Sequence, residues 1–201
     1  MARLPTIQFD GWKDPKGYHL DGTLVVRNGR RGDQLVLCQP LNNSQTLFRI
    51  FANEATTPEG VLDFVRRYGP LTATGNFRGD GVSQIIRRAE IMRDTLKWVS
   101  GQPRRRMDEE TFFGPGVPLF ARLDWDRRSR SAVWKFSPST LIDGLWLQFG
   151  QAVTRGVQIR TCMHCGDLFE TGLGTGRRLD AKFCSDEHRI AFNSLKRSKE
   201  K

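Results

Sequence analysis

Three of the chain's four cysteines and two of its three histidines lie between residues 162 and 189. Cys162 and Cys165 form a C-x-x-C pair, Cys184 and His188 form a C-x-x-x-H pair, and eighteen residues separate the two pairs. A tetrahedral zinc ion needs four sulfur or nitrogen donors at about 2.0–2.3 Å, and two close pairs on separate chain elements supply such a set. We therefore predict one structural Zn²⁺, held by these four residues, as the only cofactor.

Parts of the same segment are compatible with other chemistry. The residues CMHC resemble the C-x-H-C of thiol oxidants, in which a histidine lowers a thiol pKa, but that reading leaves Cys184 and His188 unexplained. His164 could replace His188 as a ligand, and a catalytic zinc would keep one position open for water. The glycine-rich residues 172–176 resemble part of a phosphate-binding loop, although their place between the two pairs favours a loop that closes around the metal.

Basic residues surround the second pair. Between residues 177 and 201 there are eight Lys and Arg against four Asp and Glu. Ser185 can cap a helix formed by the residues directly after it, and such a helix would place basic side chains and Asn193 where they can bond phosphates or base edges. The alternative is a solvated basic tail in which Phe192 packs back on the zinc module. The predicted nucleic-acid-binding residues are Arg177, Arg178, Lys182, Arg189, Asn193, Lys196 and Arg197.

Composition agrees with a polyanionic partner. The 201 residues carry 32 Lys and Arg against 22 Asp and Glu, a formal net charge of +10, and released counterions draw basic proteins onto phosphate backbones. No apolar run approaches the roughly 20 residues of a membrane span, and the first residues lack the apolar stretch of a signal peptide. We therefore predict a cytoplasmic protein with no membrane partner, whose cysteines serve metal binding or reactivity more than disulfides.

The elements that must position these residues can be read from the apolar spacing. Apolar runs separated by turn residues predict two β-hairpins. One spans residues 22–38, and the other is formed by residues 119–125 and 131–138. Residues 71–81 and 100–118 are predicted to be loops, and 157–160 a short strand that leads into the cysteines. Helices are predicted at four places, namely 57–69 with Thr57 as its cap, 83–99, 139–153 with a capping box of Thr140 and Asp143, and the segment after Ser185.

This pattern predicts an α+β protein in which an N-terminal domain of hairpins and helices, residues 1–157, precedes a zinc knuckle and helix, residues 158–201. Thirteen Phe and five Trp supply a core. The N-terminal part shows no Ser/His/Asp arrangement and no carboxylate pair. His19 is predicted to lie on the surface, and Cys38 is predicted to be buried. We therefore predict that the protein is not an enzyme. That domain could instead sense a small ligand or a protein.

Residues 160–197 resemble bacterial zinc fingers of the CGNR type. The resemblance rests on a cysteine pair, on a Phe that follows it, on an Arg-rich turn and on an aromatic-Cys-Ser step before a basic helix. In that family the fourth ligand is a cysteine followed by Gly-Asn-Arg, whereas here His188 precedes Arg189, Ile190 and Ala191. The matching residues are Cys162, Cys165, Phe169, Arg177, Arg178, Phe183, Cys184, Ser185 and His188.

The resemblance implies a DNA-binding transcription regulator, in which the helix before the finger belongs to a companion domain of the ABATE type. From the residues and the resemblance together we expect a zinc protein that binds nucleic acid, DNA in preference to RNA. The alternative is a zinc-stabilised module that binds RNA or an acidic protein and has no role in transcription.

Overall fold

A computed structural model describes seven stretches of the chain, and within them it has five helices and ten strands. The predicted α+β class is confirmed. The chain forms two compact units, one within residues 1–90 and 115–151 and the other within residues 91–114 and 152–201. The predicted division at residues 157 and 158 stays a prediction. The described stretches are residues 6–42, 46–72, 79–99, 117–126, 130–155, 157–172 and 175–199.

The first unit contains a three-stranded sheet. Strands β7 (Leu119–Asp126) and β8 (Ser131–Pro138) are antiparallel, which confirms the predicted hairpin, and β1 (Thr6–Ile7) runs parallel to β8. The strand order is therefore β1-β8-β7. Within the described residues β7 has one neighbour and forms an edge of this sheet.

The predicted hairpin over residues 22–38 is wrong, because its two apolar runs belong to different sheets. Strand β4 (Leu24–Arg27) pairs with β3 (Tyr18–Asp21), whereas β5 (Val36–Cys38) pairs with β2 (Gly11–Lys13). The tight turn is at Gly22, whose φ of +56° is a left-handed conformation that favours glycine. The Asp-Gly step before β4 was the stronger turn signal.

A buried carboxylate explains why residues 28–33 do not form the turn of such a hairpin. Asp14, 1% exposed, accepts hydrogen bonds from the backbone N–H groups of Lys16 (2.8 Å) and Gly29 (2.8 Å) and forms an ion pair with Arg27 (3.3 Å). These contacts fix the chain after β4 against the segment before β3, since a buried carboxylate is stable only when its oxygens are paired.

Helix α1 (Leu47–Glu54) was not predicted, and α2 (Pro58–Tyr68) confirms a prediction. The Thr57 side chain accepts a hydrogen bond from the Gly60 N–H (3.1 Å), as a helix cap does. Helix α1 has only eight residues and no side-chain cap, so its sequence carries no start signal. The two helices meet at Phe51 and Phe64, whose ring centroids are 5.3 Å apart.

Residues 71–81, predicted to be a loop, include the two-residue strand β6 (Asp80–Gly81), which pairs with β4. The Asp80 carboxylate is fully buried and accepts hydrogen bonds from the backbone of Leu71 (2.7 Å) and Thr72 (3.0 Å). The Asp80 side chain therefore links β6 to the backbone of Leu71 and Thr72. Helix α3 (Val82–Val99) follows directly and confirms the predicted helix.

The remaining elements follow in chain order. Helix α4 (Leu141–Thr154) begins with the predicted capping box, in which Thr140 and Asp143 bond each other. Strands β9 (Gln158–Thr161) and β10 (Leu168–Thr171) form an antiparallel pair, so the predicted strand is confirmed.

The predicted helix after Ser185 is α5 (Asp186–Lys199). The predicted connection over residues 100–118 lies, except for its last two residues, outside the described residues. Among those that are described, no helix is both long and apolar enough to cross a membrane.

Candidate metal centre

The first cysteine pair lies in the turn between β9 and β10. The Cys162 N–H donates to the Asp167 carbonyl (2.8 Å), and the Gly166 N–H donates to the Cys162 carbonyl (2.9 Å). Gly166 has a φ of +76°, which allows the chain to reverse directly after Cys165. The turn therefore directs both sulfurs to one side of the hairpin, as in a metal-binding knuckle.

The second pair is placed by the start of α5. Ser185 precedes the helix, and its hydroxyl accepts a hydrogen bond from the His188 N–H (3.2 Å), so it caps the first turn as predicted. This turn brings Cys184 and His188 to the same end of the helix. The Met163 N–H donates to the Lys182 carbonyl (3.0 Å), which fixes the segment before the helix against the knuckle.

The four predicted ligands converge on one point. Their donor atoms all lie within 4.8 Å of one another, an arrangement that could hold a metal ion. The sulfurs of Cys165 and Cys184 are 3.7 Å apart, and the Cys162 sulfur is 3.8 Å from Nδ1 of His188. Two sulfurs bound at about 2.3 Å to a tetrahedral ion would be about 3.8 Å apart, so these separations fit a shared ion. The Cys184 sulfur and the same Nδ1 are 2.9 Å apart, closer than the about 3.6 Å between a sulfur and a nitrogen on a tetrahedral ion, so this pair would separate when an ion binds.

The ionisation of the thiols shows what a cation would contribute. Burial raises the pKa of Cys162, but hydrogen bonds from the backbone N–H groups of Cys165, Cys184 and His164 and from the His188 side chain together outweigh it and lower that pKa to about 6. Burial and the sulfurs of Cys162 and Cys184 raise the pKa of Cys165 to about 12. Burial also raises the pKa of Cys184. One thiolate is therefore stable without metal, whereas three adjacent thiolates need a positive ion among them.

His164 and Cys38 are not among the converging donors. The His164 ring lies beside that of His188, with centroids 4.9 Å apart, but His188 completes the four-atom group. Cys38 belongs to the first unit and is half-buried, so its predicted burial is only partial, and its thiol donates to the Tyr68 carbonyl (3.8 Å). His19 is exposed as predicted, and its ring contacts the Asn28 side chain.

Two arginines hold the backbone around the ligands. The Arg177 guanidinium donates to the Cys184 carbonyl and lies over the fully buried Phe169 ring, 5.9 Å from its centroid. Arg93, on α3, donates from Nη2 to the Gly166 carbonyl (3.0 Å). Arg177 was predicted to contact nucleic acid; its side chain makes this intramolecular bond while the residue stays exposed, and its nucleic-acid role stays a prediction. Arg93 was not predicted, since nothing in the sequence pattern of α3 connects it to a turn 73 residues later.

Arg177 and its neighbour Arg178 form a matched pair for mutation. Replacing Arg177 by alanine removes the donor to the Cys184 carbonyl, and we expect metal affinity to fall about tenfold, as for other residues that orient metal ligands. Replacing Arg178, which is exposed, should leave metal affinity unchanged. Competition with a chromophoric chelator measures both constants, and equal affinities for the two variants would show that Arg177 does not support the ligand.

The described residues of the glycine-rich segment, 172 and 175–176, follow β10 in the chain. The Gly172 N–H donates to the Arg177 carbonyl (3.0 Å), and the two residues form an isolated β-bridge. The Thr175 hydroxyl donates to the Gly172 carbonyl (2.8 Å), so the described residues of this segment make a turn. A phosphate-binding loop, one of the alternatives above, needs a helix that begins directly after the glycines. The next helix begins only at Asp186, so the segment lacks that feature of a phosphate-binding loop.

An open groove of about 900 Å³ lies between this turn and the start of α5. Phe183 and Ser185 contribute to its wall, and four predicted nucleic-acid-binding residues line it, namely Arg177, Arg178, Lys182 and Arg189. Within the described part of the chain, the exposed side chains of Arg178 and Lys182 make no hydrogen bond or ion pair. Two carboxylates, Asp180 and Asp186, also line the groove, and Asp186 pairs with Arg189 (3.1 Å).

The other three predicted residues lie on α5. Asn193, Lys196 and Arg197 are four, seven and eight positions after Arg189, and this spacing places them on one face of a helix. All three are exposed. Phe192 packs against Phe183, with ring centroids 5.3 Å apart, so the helix is attached to the groove wall by an aromatic contact. Phe192 therefore packs against Phe183, as one alternative predicted, while another face of the same helix leaves Asn193, Lys196 and Arg197 exposed.

Comparisons with known proteins give no relative. No protein-family model matches the chain, and neither a curated protein nor a solved structure shows significant similarity to it. The site is thus defined by its own geometry as a Cys₃His group with an adjoining basic groove.

Proposed function

We propose that the chain is a zinc protein that binds nucleic acid, DNA in preference to RNA, through the groove and the α5 face, and that it acts as a transcription regulator without enzymatic activity. The observation that carries the proposal is the position of uncompensated cations beside the metal ligands. Arg178 and Lys182 line the groove, and the exposed Asn193 and Arg197 extend the same surface along α5.

Zinc is the ion that best suits the donor set. Three sulfurs and one imidazole nitrogen in a closed group of four are typical of structural zinc sites, whereas magnesium and calcium prefer oxygen ligands. Cys162 is 2% exposed, which protects one thiolate from solvent. The ion would fix the start of α5, a helix of 14 residues that is marginal in isolation, and so would hold the basic side chains in place.

The groove supports phosphate binding by its chemistry. Arginine and lysine side chains that lack intramolecular partners are available to phosphate oxygens, and the Phe183 ring in the wall offers a surface to a sugar or base. The resemblance of the metal ligands to CGNR-type fingers supports DNA over RNA. Where that family has Gly-Asn-Arg after its fourth ligand, this chain has Arg189, Ile190 and Ala191, so the resemblance covers the ligands and not that signature.

Competition binding with the zinc-loaded full chain tests the proposal. Labelled duplex DNA is competed with duplex or single-stranded RNA of equal length over a series of salt concentrations. The protein should bind DNA more tightly than RNA, and its affinity should fall steadily as salt rises. Preference for RNA would favour the alternative RNA-binding module. Absence of binding to either polymer would overturn the nucleic-acid function and leave an acidic protein as the partner class to search.

A further inference from the structure

Among the described residues, strand β7 is an edge of its sheet, and one of its faces is apolar and exposed. The hairpin register places Leu123 opposite Trp134 and Trp125 opposite Ala132, so these four residues share one side of the sheet. Leu123, Trp125 and Trp134 are 61%, 63% and 53% exposed. An eight-residue edge strand with exposed apolar side chains is a template for pairing with another strand.

The opposite side of β7 carries charges in a self-complementary order. Arg122 and Asp124 lie on that side, two residues apart with Leu123 between them, and their charged groups are 3.7 Å apart within the strand. Asp124 also pairs with Lys135 of β8 (2.6 Å). When two copies of such a strand run antiparallel, a residue one position before the symmetry axis lies opposite the residue one position after it.

We propose that β7 pairs with β7 of a second copy of the chain, antiparallel about a two-fold axis at Leu123. This register places Arg122 of each copy opposite Asp124 of the other and Ala121 opposite the second Trp125. An axis at Arg122 or at Asp124 would instead bring two like charges together directly, which is unfavourable. The charge pattern of the strand therefore selects one register among the neighbouring ones.

The resulting dimer is closed, since the same surface of each copy is used once. It joins the two three-stranded sheets into one six-stranded sheet whose order is β1-β8-β7-β7-β8-β1, and it brings together the Leu123 side chains of both copies. The inference does not depend on nucleic-acid binding. A two-fold dimer would nevertheless carry two metal modules, which suits a DNA site with two half-sites.

Two charge variants test the register. Arg122→Glu places a glutamate opposite Asp124 of the second copy, and Asp124→Lys places a lysine opposite Arg122, so each variant alone has two repulsive pairs. Sedimentation equilibrium of the wild-type full chain should give about twice the chain mass of 23.0 kDa. Each variant should dissociate at a concentration roughly tenfold higher or more.

An equimolar mixture of the two variants should restore the dimer. In the mixed dimer the introduced glutamate of one copy faces the introduced lysine of the other, and the remaining Asp124 faces the remaining Arg122. Asp124→Lys also loses the pair with Lys135, but that loss is the same alone and in the mixture. Circular dichroism of each variant checks that it is folded. A monomeric wild type, variants that associate like wild type, or a mixture of folded variants that stays monomeric would each overturn the proposal.

Discussion

Replacing Cys162 by serine is expected to abolish metal binding and to unfold the second unit around the knuckle. Cys162 is the most buried of the four donors, and it also accepts the Cys184 N–H through its sulfur (3.5 Å). Zinc binding contributes on the order of 10 kcal/mol to small domains that depend on the metal. The loss should be measured as zinc content by mass spectrometry and as lost helical signal of α5.

Cys38→Ser is the matched control for this variant. Cys38 is the fourth cysteine, lies in the first unit, and its thiol contacts only the Tyr68 carbonyl among the hydrogen bonds of the described residues. The control should keep one equivalent of metal and the α5 signal. A Cys162→Ser protein that holds metal with wild-type affinity would contradict the assigned ligand set.

Reversing the charges of Arg178 and Lys182 together is expected to reduce nucleic-acid affinity by tenfold or more and to lower the salt slope by about 2, one for each lost phosphate contact. The reason is that both side chains line the groove and lack intramolecular partners in the described part of the chain. Titration of labelled duplex DNA at several salt concentrations gives both quantities.

The control for this pair is Arg31→Glu with Arg87→Glu. It changes the net charge by the same amount, and both arginines are exposed in the first unit. If the control lowers the salt slope as much as the groove variant does, binding reflects the overall charge of +10 rather than the groove. Zinc content should be unchanged in both variants, which separates this result from loss of the metal module.

Local signals in the sequence were sufficient to predict that Cys162, Cys165, Cys184 and His188 converge, and to predict the elements that carry them. Short spacings within each cysteine pair restrict the chain to a turn and to one helix face, and Ser185 marks where that helix begins. Helix α2 was predictable for the same reason, because Thr57 and Gly69 mark its two ends within one short segment.

Contacts between distant segments were not predictable from one sequence. The strands around Gly22 pair according to a buried carboxylate, Asp14, whose partners are up to 15 residues away. Arg177 looks like any exposed cation in the sequence, yet its guanidinium donates to the Cys184 carbonyl. Arg93 joins the same module through a single long-range hydrogen bond. The sequence shows that Arg177 and Arg93 are charged and where they fall in their elements. Their contacts depend on which backbone carbonyl lies near them in the folded chain.

X-ray absorption at the zinc edge, together with metal analysis of the full chain, tests the central claim most directly. We expect one zinc per chain, bound by three sulfurs at about 2.3 Å and one nitrogen at about 2.0–2.1 Å. A folded protein that contains no metal and has a disulfide between Cys162 and Cys165 would contradict the account, as would a zinc ion that keeps a water ligand in place of His188.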